Sequence, residues 1–72
     1  MDSAKSQELK GKWKQFKGKI RETWGELTGD RLDQYRGQFD QLVGYVQSET
    51  GKARGKIRDR VEELAKKVGY EF

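Results

Sequence analysis

The 72-residue chain contains no cysteine, no histidine and no proline. Without cysteine there can be no disulfide, no thiolate nucleophile and no cysteine-held metal. Without histidine, the usual general base and the commonest metal ligand are missing too. Long apolar runs are also absent. Nothing approaches the ~20 residues needed to span a bilayer, and the opening MDSAKSQELK lacks the apolar region of a signal peptide. These absences predict a soluble, intracellular protein. Apolar residues make up only 32% and charged residues 39%, with a mean hydropathy of −1.14. The core must therefore be small and the surface heavily hydrated. The expectation is one domain, 1–72, near the lower size limit for independent folding.

What is present is charge, arranged in blocks. Residues 1–24 hold seven Lys/Arg against three Asp/Glu, net +4; residues 25–50 hold two against five, net −3; residues 51–72 hold seven against four, net +3. This basic–acidic–basic order could serve an external anion. It could equally let the middle segment neutralise the outer two, which suits the mixed-sign surfaces of small soluble domains.

Apolar spacing predicts helices throughout. Leu9, Trp13, Phe16, Ile20 and Trp24 step by four, three, four and four, with Gly25 placed to cap that helix in the left-handed region. Leu32, Tyr35, Phe39, Leu42, Val43 and Val46 form a second stripe, opened by Thr28 or Asp30 as N-cap. Gly37 falls within it and either breaks it or leaves one continuous helix. Ile57, Val61, Leu64 and Val68 form the last stripe. Periodicity thus reads three helical stretches, at about 6–24, 30–50 and 53–68, the middle one becoming 30–36 and 38–50 if Gly37 breaks it. The expected architecture is an all-α small bundle, of four short helices in that case.

A shift of 26 residues lays KGKWKQFKGKIRETWG (10–25) over RGQFDQLVGYVQSETG (36–51). Gly11, Gln15, Gly18 and Gly25 coincide with Gly37, Gln41, Gly44 and Gly51, and Trp13, Phe16 and Ile20 with Phe39, Leu42 and Val46. The bundle is thus built on an internal helical duplication. Neither copy can bury its apolar face alone, so the expectation is that the copies pack together and the last helix closes the remaining side.

The first helix carries lysine on both flanks of its apolar stripe. Lys10, Lys14, Lys17 and Arg21 line one side; Lys12 and Lys19 line the other. With Arg54 and Arg58 of the last helix, Lys10, Lys14, Lys17 and Arg21 form the candidate anion-contact face. Such stripes support salt-sensitive, nonspecific contact with nucleic acid or an anionic membrane. No helix-turn-helix, zinc or RNA-binding signature accompanies them. The competing interpretation is plain: the aromatics are core and the lysine stems flank them. Asp30, Asp33, Asp40, Glu62 and Glu63 have no partner base and serve as solvated or capping groups. A non-enzyme is expected, with no cofactor, metal or small-molecule substrate, and in a monomeric form.

Glycine is plentiful, nine residues in all. Gly11, Gly18 and Gly25 project nearly opposite the first apolar stripe, and mid-helix glycine costs ~1 kcal/mol relative to alanine. With Gly37, Gly44 and Gly55 counted as interior, the glycines predict a marginal, easily opened domain.

The segment KGKWKQFKGKIRETWGELTGDRLDQYRGQFDQLVG, residues 10–44, resembles the CsbD-like family of small bacterial stress-response proteins. GKWKQ, KGKI, WGELT, DRLD and DQLVG carry the resemblance, and YVQSETG extends it to residue 51. It implies a small all-helical cytoplasmic protein made under general stress, with four short helices broken near Gly37. It supplies no catalytic or ligand-binding residues. Gly29 and Arg31 depart from the run of aspartates often found after WGELT. Two kinds of mechanism are compatible: an interaction module docking an unidentified macromolecule, or a hydrophilin-like protectant without a specific site.

Overall fold

In the computed structural model, which describes the backbone of residues 4–72 and the side chains of residues 11–72, four α-helices follow one another. They are α1 (Ala4–Thr23), α2 (Gly29–Gln34), α3 (Phe39–Thr50) and α4 (Arg54–Val68). No strand occurs among the described residues. The side chains of Leu9 and Lys10, both assigned roles from sequence, lie outside the described ones.

Each helix boundary has a local chemical cause. Trp24 lies one residue past α1, its N–H still bonded to Ile20 O at 2.8 Å. Thr28 then caps α2, its hydroxyl accepting from Arg31 N at 3.3 Å. Gly37 settles whether the second stripe is continuous. It adopts φ +78°, a region closed to most side chains, so the chain turns there and α2 and α3 are separate helices. Gly51 (φ +69°) and Gly69 (φ +73°) end α3 and α4 in the same way. Gly25, expected to be a left-handed cap, is not in that region. Its end of α1 closes instead through a turn in which Leu27 N bonds Trp24 O at 3.2 Å.

The repeat copies do not form the main pairing expected of them. The closest backbone packing sets α4 against both α1 and α3, with α2 lying against α1. Val61 and Ala65 on α4's buried face are small enough to let its backbone approach two neighbours. The duplicated helices therefore share a core through α4. That core includes Trp13, Phe16, Ile20, Trp24, Leu32, Leu42, Val43, Val46, Ile57, Val61 and Leu64, all buried.

Four buried residues belong to no sequence stripe: Leu27, Tyr45, Ala65 and Tyr70. Leu27 enters the core from the α1–α2 turn. Tyr45 and Tyr70 bury their rings and use their hydroxyls to pin loops. Tyr70 Oη accepts from Gly37 N at 3.1 Å, and Tyr45 Oη accepts from Thr28 N at 3.3 Å. Tyr70 also stacks on Phe16, with centroids 5.0 Å apart. Conversely, Tyr35, Phe39 and Val68, placed on the apolar stripes, are only half-buried and rim the core. No buried side-chain polar atom lacks a partner among the described residues.

Candidate functional site

The six candidate anion-contact residues are placed unequally. Lys10's side chain lies outside the described ones. Lys14 and Arg21 are exposed and make no ion pair among the described residues. Lys17 is drawn inward: its side chain is 22% exposed and its Nζ donates to Asp33 Oδ1 at 3.0 Å. Arg54 stands 4.0 Å from Asp40, at the start of α3. Arg58 pairs with Glu62 at 3.8 Å and lies over the Phe39 ring, 5.8 Å from its centroid. No described contact joins the α1 set to the α4 set. Half of the named cations thus face carboxylates of the chain itself, and two of those partners, Asp33 and Asp40, come from the acidic middle block.

Asp33 is the most constrained of these carboxylates. Its Oδ1 accepts from the Trp13 indole Nε1 at 2.8 Å as well as from Lys17. The indole hydrogen bond first, and the lysine second, hold its carboxyl below the usual aspartate range. Across α2, the Arg31 guanidinium donates to Tyr35 Oη at 3.4 Å and lies 5.1 Å from the Tyr45 ring centroid. The tyrosine hydroxyl bond raises the arginine's pKa further. These are positioning contacts. They organise the α1–α2 corner.

Two open clefts mark the surface. One, of ≈ 290 Å³, is walled by Phe39, Arg58, Glu62, Ala65, Tyr70 and Phe72 and is mostly apolar. Phe72, 42% exposed, sits edge-on to Phe16, Phe39 and Tyr70 there. The other, of ≈ 390 Å³, lies between the carboxyl end of α1 and the start of α4. It gathers Lys52, Lys56 and Arg60 around Thr23, Trp24 and Ile57. None of this trio belongs to the face of Lys10, Lys14, Lys17, Arg21, Arg54 and Arg58, although Lys56 and Arg60 are part of the basic last helix that backs the nucleic-acid reading. Their four-residue spacing was visible, but the facing wall comes from Thr23 and Trp24 at the end of α1, far earlier in the chain. No group of three carboxylates able to hold a metal ion occurs among the described residues, and none of the described helices is long and apolar enough to cross a membrane.

A small all-α bundle with a satisfied core and a charged surface is therefore the class that the fold defines. The chain belongs to the CsbD-like family, which it matches over residues 7–63. It is 40% identical to the UPF0337 protein YjbJ of Escherichia coli O6:H1 over 65 residues, covering 90% of this chain and 94% of that one. A UPF0337 protein of Pseudomonas aeruginosa is 38% identical over 60 residues, 83% of this chain and 92% of the relative. Another, from Nitrosomonas europaea, is 43% identical over 53 residues, 74% and 56% of the two chains. No solved structure gives a significant match. Tyr70, which plugs the core and holds Gly37, lies beyond the family match.

Proposed function

We propose that this chain is a non-enzymatic, cytoplasmic stress protectant of the hydrophilin type, acting as a monomer by hydration and excluded volume. The observation that carries this reading is the emptiness around its helical glycines. An added Cβ at Gly11, Gly18 or Gly44 would meet nothing within 4 Å among the described residues. These glycines therefore serve no close packing, yet they lower helix stability by ~1 kcal/mol each. Gly37, counted as helical from sequence, lies in the loop between α2 and α3, and Gly55 lies in the first turn of α4. The sum is thus ~3 kcal/mol for the three interior positions, a large part of the ~5–15 kcal/mol typical of a domain. A very polar, marginal module that opens readily suits bulk protection better than it suits a rigid site.

The reading is tested by drying a labile enzyme with the protein and measuring the activity recovered on rehydration. Protection should scale with the mass of protein added and should not require a complex of fixed stoichiometry. Crosslinking in stressed cells that recovered one dominant partner would contradict the reading and favour an interaction module.

A further inference from the structure

The cleft between α1 and α4 collects three cations, two of which make no ion pair among the described residues. Lys17, Arg54 and Arg58 each face a carboxylate, but Lys52 and Lys56 make no ion pair among the described residues. Arg60 reaches Glu63 Oε1 at 3.4 Å, and Glu63 also receives Lys67 at 3.7 Å. No carboxylate lines the cleft itself. The carboxyl end of α1, with its partial negative charge, forms one wall and would draw cations toward it. None of the three donates a hydrogen bond to it, however: Thr23 Oγ1 bonds Lys19 O, and Trp24 N bonds Ile20 O.

The shape of the cleft decides among anionic partners. Lys56 and Arg60 stand one helical turn apart, about 6 Å along α4, and Lys52, in the preceding linker, lines the same cleft. That spacing is comparable to the separation of neighbouring phosphates on an extended nucleic-acid strand. The floor is closed, because Trp24 and Ile57 are 4% and 1% exposed. It offers no ring face for a base, so contacts fall on the backbone and carry no sequence preference. A membrane surface is favoured by projecting apolar side chains. The exposed apolar ring, Phe72, lies in the other cleft.

We propose that the Lys52–Lys56–Arg60 cleft binds the phosphate backbone of a single nucleic-acid strand, independently of sequence. The proposal stands apart from the protectant reading and does not rest on it. The test is a titration of isotope-labelled full-length protein with a short oligothymidylate at low salt, following amide shifts. Shifts should concentrate at Thr23, Trp24, Lys52, Lys56 and Arg60. Lys56→Glu should weaken binding about tenfold, and raising the salt should abolish it. Lys14→Glu makes the same change in net charge on exposed α1 and should weaken binding far less. Circular dichroism confirms that each variant is folded, and Lys56→Ala, a milder change, should move affinity in the same direction. Equal losses for Lys14→Glu and Lys56→Glu, or shifts spread over all the cations, would overturn the proposal. So would Lys56-dependent binding to phosphatidylglycerol vesicles that is tighter than binding to the strand.

Discussion

The indole N–H of Trp13 donates to the carboxylate of Asp33 across 2.8 Å and so ties the middle of α1 to α2. Lys17 converges on the same oxygen, and together they depress the Asp33 pKa. A depressed carboxylate adds stability that is complete above its unfolded value of ~3.9. That contribution is lost as pH falls through the lower folded value. Asp33→Ala leaves a part-buried N–H without its partner and should cost ~1–3 kcal/mol. Asp33→Asn keeps an acceptor for the indole and should cost less. Urea unfolding at neutral and acidic pH checks the sign: the gap between wild type and the Asn variant should narrow as the pH drops.

The two loop-pinning tyrosines predict a second pair of effects. Tyr70→Phe and Tyr45→Phe keep the rings but leave the Gly37 and Thr28 amides without their acceptors. Each should cost ~1 kcal/mol and speed hydrogen exchange at that one amide. Tyr70→Ala also removes the ring stacked on Phe16 and should cost ~3–5 kcal/mol, although Tyr70 lies outside the family match.

Within the core, burial separates residues that the repeat made equivalent. Trp13 is 4% exposed and Phe16 fully buried, so truncating either to Ala should cost ~3–5 kcal/mol, near the whole stability of so small a domain. Helical circular dichroism should be lost at 25 °C. Phe39, the repeat mate of Trp13, is half-buried at the rim beside Phe72 and Arg58, so Phe39→Ala should be milder and still melt cooperatively.

Three helical stretches and most of the core were legible because both follow from 3.6-residue periodicity, a local property; the division of the middle stretch rests on the positive φ of Gly37. Phe16, Ile20, Leu42, Val46, Ile57, Val61 and Leu64 were assigned correctly on that basis. Tyr45 and Tyr70 were not, because each sits off its helix's stripe or past its end and is buried by distant partners. Phe39 erred the other way: its place on the stripe is sound, but α3 begins there and solvent covers one side. The basic face was legible only as composition. Pairs within one helix, such as Arg58–Glu62 and Lys67–Glu63, follow from spacing, but Lys17–Asp33 and Arg54–Asp40 depend on where α2 and α3 land, which neither spacing nor charge order encodes. The same holds for the cleft that gathers Lys52, Lys56 and Arg60.

Glycine substitutions should divide by backbone conformation. Gly11→Ala and Gly18→Ala together should raise the unfolding free energy by ~1–2 kcal/mol, since each new methyl enters open space on a helix. Gly37→Ala, at φ +78°, should lower it by ~1–2 kcal/mol. Urea unfolding of the three variants decides the matter. Loss of stability in the Gly11/Gly18 variant would mean that their face is covered by another chain in solution.

The measurement that bears most directly on the protectant account is enzyme activity recovered after drying with the Gly11→Ala/Gly18→Ala variant in place of wild type, at equal mass. Composition and net charge are almost unchanged between them, so only the ease of opening differs. The account predicts that the stabilised variant protects less. Equal or better protection by a demonstrably more stable variant would contradict it, because opening of the marginal domain would then have no part in the activity.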